Sequence, residues 1–567
     1  MKTLSGYVNS RQGGGSEGTG AFYVQTEIVV QIEIVKRSAS VLFLVGAVVV
    51  LYRKAIRLWW TYDDPWNLHV SIARPWTDAF TERDVWPQSL FTPLLLGSHE
   101  ALLFLAGLDP DHWYRIQLAL IAACASALYF ALRLYVGTIP ALTGALLFAA
   151  GPPLCSFATQ LMVIHYLEAI LLGVLAVIAY VLAFRRQSVL LELLSALLYF
   201  AAMLAKEIAV PLPALLFFLP PTGLRVRIRH LLFHTVALVG YLSWRWSVIG
   251  TVFGGYGWAI APGEIPGVLM SLPWKVILAC AGAGLGVGLA AMAVLAGGAG
   301  WAMRTRRGLL IGSVTLLLAV APILPVSKEM QPRYVVAVWL WACVSFAIGA
   351  ASLRSAARNA LLVAAAGTVL VANRQEWTHE YGRSIRMSEE ARAFMSLDGS
   401  AMLRLPAIPP AAMVELQWLK EEHLRGARGA GWFYDDLFLC GEATLADRRI
   451  FEWVPQRREV VEVTARIPDL ARSYCGAIRH NAPLRAEFHH RDEALFWRFG
   501  PYDQGRWTVV LGGGLQAFTV PREEGFRLAG VPGLALRVRY ESPEGWVTYS
   551  PEIALDFARQ PNLIWHR

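Results

Sequence analysis

The sequence predicts a polytopic, mainly α-helical membrane domain followed by a soluble α+β region that ends in a β-sandwich. Three observations carry this expectation. Over 567 residues, 56% are hydrophobic and the mean hydropathy is +0.44, too apolar for a water-soluble chain of this size. The 16% of charged residues is too many for spans alone, and the apolar runs nearly all precede Asn373. After Gly431 the texture changes to short alternating segments separated by Gly and Pro, which reads as strands.

Taken in order, residues 1–38 read as a disordered cytoplasmic leader, because a Gly-rich stretch, Gly13-Gly14-Gly15-Ser16-Glu17-Gly18, precedes any apolar run and no signal-peptide pattern fits. Residues 39–374 form the membrane domain. Its first span runs from about Ser40 to Trp60, where Arg53, Lys54 and Arg57 must snorkel outward, face other helices or attract a lipid phosphate. Further apolar runs follow at roughly 116–135, 138–158, 161–184, 188–205, 208–223, 231–249, 275–303, 308–327, 333–352 and 358–374, each near the length that crosses about 30 Å of hydrocarbon, for about eleven spans.

Charge tests this count. When the spans alternate, Lys36/Arg37, Arg185/Arg186, Arg225/Arg227/Arg229, Arg304/Arg306/Arg307 and Arg354/Arg358 fall on one side, which the positive-inside rule makes cytoplasmic. The first external loop (61–115), Lys206-Glu207, the 250–274 loop, Lys328 to Arg333 and the C-terminal region share the other. The net charge of +9 is therefore a topology signal, and no nucleic-acid partner is expected.

The first external loop opens on Thr61-Tyr62-Asp63-Asp64-Pro65-Trp66-Asn67-Leu68-His69. Carboxylates this close to a bilayer are costly unless hydrated, paired or put to chemical use. Acidic residues and cations from four hairpins, at Asp63/Asp64, Lys206/Glu207, the 250–274 loop and Lys328/Arg333, then meet at one surface. A lipid headgroup and a water-soluble acceptor could meet there too. His165 and Glu168 are three apart and share a face of the fourth span, as either a binding pair or a buried structural one.

These motifs resemble, in order, those of the GT-C superfamily of polyprenyl-phosphate-sugar-dependent glycosyltransferases, particularly the branch with protein O-mannosyltransferases and tetratricopeptide-bearing mannosyltransferases. Tyr62-Asp63-Asp64 looks like the acidic pair of the first external loop. Trp86-Pro87-Gln88-Ser89-Leu90, then Gly107-Leu108-Asp109-Pro110-Asp111-His112, is similar to that loop's second half. Ala205-Lys206-Glu207-Ile208-Ala209 and the later Pro325…Arg333-Tyr334 complete the set, over about residues 40–350. The chain departs from the pattern twice. The C-terminal region shows no 34-residue helical repeat. Gln160-Leu161-Met162-Val163-Ile164-His165-Tyr166-Leu167-Glu168 stands where an Arg-Asp or Arg-Glu is usual.

The resemblance implies a membrane glycosyltransferase acting on the extracytoplasmic face of a bacterial cytoplasmic membrane. Its donor would be a polyprenyl-phosphate-linked sugar, and its acceptor a hydroxyl on a glycan, lipid or protein. Asp63 is the expected general base, with Asp64 orienting it or exchanging roles. Lys206 and Arg333 are the expected donor-phosphate cations, with Glu207 holding Lys206, Lys328 in reserve, and His69 and His112 in support. No cofactor is expected: Asp63, Asp64 and His69 could approach a divalent ion, but only two oxygen ligands are evident. Two rival readings are a multi-pass transporter or flippase of lipid-linked saccharides, to which the Gly-rich run 282–300 is compatible, and a non-catalytic assembly factor of the same fold.

Of six cysteines, Cys124, Cys155, Cys280 and Cys343 fall in apolar runs and read as packing residues, while Cys440 and Cys475 are a disulfide candidate that spacing alone leaves open. No Cys/His cluster suggests a metal site. Residues 375–430 read as a helical connector and 431–567 as the sandwich-like domain. There, Trp497, Tyr502, Trp507 and Trp546 either stack on sugars or fill the core.

Overall fold

The computed structural model describes residues 18–83, 85–86, 90–219, 223–252, 265–327, 330–405, 431–441, 448–454, 456–491, 494–514, 516–527, 534–556 and 560–567. Helix α1 (Gly18–Tyr52) opens the described chain. Residues 18–38, expected to be disordered, are thus helical, because an existing helix extends through an apolar segment such as Val29–Val35 far more easily than a new one nucleates. Arg53, Lys54 and Arg57 lie beyond its end in a 3-10 turn and are exposed, so they need not cross the hydrocarbon.

The first loop holds α2 (Asp64–Ala73) and α3 (Pro93–Ala106). The bundle continues with α4 (Pro110–Arg133), α5 (Thr138–Ala149), α6 (Pro152–Thr159), α7 (Ile164–Arg186), α8 (Val189–Ala205), α9 (Leu212–Phe218), α10 (Leu224–His230) and α11 (Leu232–Ile249). It closes with α12 (Ile265–Ala281), α13 (Leu285–Ala302), α14 (Arg306–Val320), α15 (Val336–Ala351) and α16 (Ser355–Ser396). Among the described residues seven helices are long and apolar enough to cross a membrane, or eight if α5 and α6, bent by 54°, make one span. Leu42, Val50 and Val363 are 70%, 74% and 73% exposed on such helices, as lipid-facing residues would be. The chain is a multi-pass membrane protein.

About eleven spans were expected; the runs at 188–205 and 208–223 form helices too short to count, while 275–303 and 358–374 each still supply a span but are built differently from the expectation. α8 stops one residue short of eighteen at Lys206, and Pro211 and Pro213 leave only a short helix after it. The run 275–303 is two helices rather than one. Gly282 sits at φ +72°, Glu376 accepts the Ala283 N–H at 2.5 Å, and a Cβ on Gly284 would meet the Gln375 side chain. The run 358–374 is part of the 42-residue α16, which carries on through the expected connector.

Charge marks the ends of the bundle. At one end Arg133 pairs with Glu33 at 2.8 Å, Arg185 donates to Leu134 O and Arg304 donates to Ser352 Oγ. At the other, Tyr52 donates to Ala149 O, Asn373 donates to Tyr52, and the acidic turn Asp63-Asp64 follows.

Beyond α16, β1 (Ala401–Arg404), β2 (Gly431–Phe433), β3 (Arg449–Val454) and β4 (Glu459–Glu462) form a mixed sheet in the order β2-β1-β3-β4. Its first strand lies inside the segment expected to be a helical connector. Leu403 and Phe394 share a core with Leu58, Trp60, Trp86 and Trp113, so this sheet rests on the first loop. After α17 (Ile467–Gly476) come β5 (Arg485–Arg491), β6 (Ala494–Gly500), β7 (Arg506–Leu511), β8 (Gln516–Val520), β9 (Glu523–Arg527), β10 (Leu534–Glu541), β11 (Val547–Tyr549), β12 (Ile553–Leu555) and β13 (Asn562–His566). They make two antiparallel sheets, β13-β5-β6-β9 and β11-β10-β7-β8 with β12 on β10. Phe488 and Phe499 of one meet Trp507, Leu536 and Val538 of the other in a shared core, so the sandwich proper begins at β5. Trp507 is buried, and Trp497, Tyr502 and Trp546 pack against the same core. Cys440 and Cys475 are joined by a disulfide linking the turn Asp436–Cys440 to α17.

α13 and α15 cross with their backbones close. A Cβ on Gly349 would lie 1.9 Å from Gly298 O, whereas one on Gly367 of α16 would meet nothing within 4 Å. Gly349→Ala is expected to lower the melting temperature of the purified protein, at a cost of about 1–3 kcal/mol or more. Gly367→Ala should leave it unchanged or higher.

Candidate active site

Four segments distant in sequence meet at the acidic end of the bundle: the turn before α2, the break between α6 and α7, the turn between α8 and α9, and the 3-10 turn Pro332–Val335. Asp63 is the N-cap of α2, and Pro65 just inside the helix favours its start there. The neighbouring Tyr62 is held at φ +51°, a left-handed conformation that costs a residue with a Cβ on the order of 1–3 kcal/mol. Its ring lies under the Arg383 guanidinium at 5.0 Å.

The two carboxylates differ sharply in environment. Asp64 is buried; its Oδ2 accepts the Thr61 N–H at 3.0 Å and its Oδ1 accepts the Met162 N–H at 2.8 Å. Burial pushes its carboxyl up to about 7, against the backbone donors of Thr61, Met162 and Leu161 that favour the ionised form. Both oxygens are therefore committed: Oδ2 closes the local turn at Thr61, and Oδ1 ties the first loop to the 3-10 turn that leads into α7. Asp63 is open to solvent at its surface, yet the surrounding protein desolvates it enough to raise its carboxyl, with Arg333 drawing it back down.

Arg333 enters from the 3-10 turn that starts α15. Its Nη1 donates to Gln160 Oε1 at 2.6 Å, its Nη2 to the Tyr334 hydroxyl at 3.4 Å, and its guanidinium lies 5.2 Å from the Tyr334 ring centre. Lys206 is buried between α8 and α9, 3.3 Å from Glu207 and 5.0 Å from the Tyr166 ring centre. Glu207 also pairs with Arg245 of α11 at 2.7 Å. Tyr166 and Tyr334 are within electrostatic reach of both Lys206 and Arg333, so the cations belong to one cluster. A cavity of ≈ 200 Å³ opens among Lys206, Glu207, Arg245, Tyr166, Tyr241 and Tyr334. Ile208 and Pro211 line both this cavity and a second, apolar one of ≈ 430 Å³ between the helices, walled by Leu128, Gly173, Leu212 and Trp341 among others.

The remaining candidates divide. His165 is buried within electrostatic reach of Lys206 and Arg333. Glu168, one turn along, turns instead toward Ser98 of α3. His69 packs 6.1 Å from Trp66 on α2. His112 pairs with Asp109 at 2.6 Å, exposed, where Asp109 caps α4, so it serves that helix end. Lys328 lies outside the described residues. Among the described residues no group of three His, Cys, Asp or Glu stands close enough to hold a metal ion.

Gln160, Tyr166, Arg245 and Tyr334 were not among the expected site residues. A lone Arg in the apolar run 231–249 was the available signal for Arg245, since an ionisable residue in such a run needs a partner. If Asp64 is a clamp, Asp64→Asn, which keeps one acceptor and turns an amide N–H₂ toward a backbone donor, should cost about 1–3 kcal/mol of stability. Thermal unfolding of the variant beside Asp63→Asn, which should melt like the wild type, checks this.

No family model matches the chain, and neither does any curated protein. Among solved structures the chain is similar to ArnT from Cupriavidus metallidurans bound to undecaprenyl phosphate, at 14% identity and a TM-score of 0.43 over 66% of this chain and 84% of that one. It is similar to the arabinofuranosyltransferase AftD from Mycobacteria, at 14% identity and a TM-score of 0.41 over 86% of this chain and 40% of that one, so it spans less than half of AftD. It is also similar to the archaeal oligosaccharyltransferase AglB from Archaeoglobus fulgidus, in complex with an inhibitory peptide and a dolichol-phosphate, at 11% identity and a TM-score of 0.40 over 86% of this chain and 76% of that one.

Proposed function

We propose that the chain is a membrane glycosyltransferase that moves a sugar from a polyprenyl-phosphate donor to an acceptor hydroxyl on the extracytoplasmic face of a bacterial cytoplasmic membrane. The observation that carries this reading is the pair of adjoining cavities, one lined by Lys206 and Arg245, the other predominantly apolar and set among the helices. A ligand that fills both has an anionic head and a long apolar tail, which is the chemistry of a lipid phosphate. Asp63 and Arg333 lie outside the lining of both cavities, but Arg333 stacks against Tyr334, which lines the first, and acts on Asp63, which supports Asp63 as the group toward the sugar end of such a donor.

In the reaction the acceptor hydroxyl gives its proton to Asp63, and its oxygen bonds to the anomeric carbon. The bond from that carbon to the phosphate oxygen breaks, and its electron pair stays on the departing lipid phosphate. That phosphate gains negative charge as it leaves. Cations already in place stabilise it without reorganisation, often the largest single contribution to such a rate. Arg333 offers a planar fork for two phosphate oxygens and Lys206 a point charge. The facing is supported by the basic end of the bundle opposite the site. It is also supported by the Cys440–Cys475 disulfide, which suits an oxidising compartment.

Purified protein assayed with undecaprenyl-phosphate-linked pentoses and hexoses tests the reading. Asp63→Asn should lower turnover by roughly 10²–10⁴-fold while undecaprenyl phosphate still binds; equal turnover in the variant would remove Asp63 as the base.

The pH profile gives an independent check. A base works when ionised, and burial raises the Asp63 carboxyl, so kcat/KM should climb with pH along a limb lying above the ordinary Asp value of about 3.9. A profile flat through that region contradicts the assignment.

A further inference from the structure

Arg333 directs its hydrogen bonds to two uncharged groups, the Gln160 amide oxygen and the Tyr334 hydroxyl. The Gln160 side of this contact is rigidly placed. The residue is 5% exposed and extended, between the end of α6 and the 3-10 turn Leu161–Val163. Its carbonyl accepts from Gln117 Nε2 at 3.3 Å, and the same Nε2 also donates to Phe157 O at 2.9 Å. Two residues on, the Met162 N–H is held by Asp64. The amide oxygen that aims Arg333 is thus locked in register with the acidic turn.

An amide and a carboxylate of the same length would hold a guanidinium in nearly the same place, but with opposite consequences for charge. A carboxylate makes the stronger, charge-assisted bond and cancels the cation; an amide orients it and leaves its charge in place. We propose that Gln160 is a positioning residue that aims Arg333 at the anionic headgroup of the ligand while keeping the guanidinium charge available to it. This role rests on the lipid-phosphate reading of the site.

The full-length protein in detergent, with undecaprenyl phosphate as the probe, tests it by thermal unfolding with and without the lipid, since a ligand of the folded state raises its melting temperature. Gln160→Glu should keep an unliganded melting temperature near wild type, because the new carboxylate meets Arg333, yet lose affinity for the probe by roughly tenfold or more. Gln160→Met removes the acceptor and spares the charge. It should melt lower without ligand but bind the probe more tightly than Gln160→Glu does. A purely structural role makes stability and affinity fall together, so this crossed pattern separates the two. Affinity of Gln160→Glu within about twofold of wild type, or weaker binding by the Met variant than by the Glu variant, overturns the proposal. Wild-type protein that shows no shift with undecaprenyl phosphate overturns the lipid-phosphate reading itself, and this role with it.

Discussion

The structure at the acidic end depends on the extended break between α6 and α7. There the Asp64 carboxylate takes the Met162 N–H, the Gln160 amide takes the Arg333 guanidinium, and Gln117 and Tyr114 of α4 hold the carbonyls of Phe157, Gln160 and Thr159. A helix continuing through this point would consume those backbone groups internally. Because the helix stops, its orphan donors and acceptors become the anchors that bring the first loop and the turn before α15 together. A separate bend of 54° lies one short helix earlier, between α5 and α6.

The second constraint is dielectric. Lys206 and Arg245 are each only 2% exposed, and buried cations of this kind persist only with partners. Glu207 serves both, and Tyr166 and Tyr334 present their rings to Lys206 and Arg333. Such a cluster is expensive as a scaffold, since hydrophobic residues of similar volume would pack at lower cost. Its placement where a polar cavity adjoins an apolar one gives it a use: an anion drawn out of water meets donors that are already desolvated and aimed.

Much of this was legible in the sequence, for a physical reason. Asp63, Lys206 and Arg333 stand at the ends of apolar runs, where charge is conspicuous, and the alternation of basic loops put all three on one side; the structure brings Asp63 and Lys206 into the same neighbourhood as Arg333. What was hidden depends on tertiary partners or on backbone shape. The division of labour between Asp63 and Asp64 is set by the Met162 N–H, 98 residues away, which no local pattern announces. Arg245 passed as part of a span because hydropathy averages a single charge into its surroundings. The run 275–303 looked continuous because hydropathy cannot see that Gly282 turns left-handed and that Glu376 ties down the turn. β1 was missed because its strand is four residues long and gains its partners, β2 and β3, from residues well downstream.

The central claim is that one pocket receives both the charged head and the tail of a lipid phosphate beside Asp63. A cryo-electron microscopy map of the protein with undecaprenyl phosphate tests it most directly. The account predicts phosphate density within hydrogen-bonding distance of Lys206, Arg245 or Arg333, and isoprenoid density running past Ile208 and Pro211 into the apolar cavity. Phosphate bound at the basic end of the bundle, or a lipid tail lying elsewhere with that cavity filled by side chains, would contradict it.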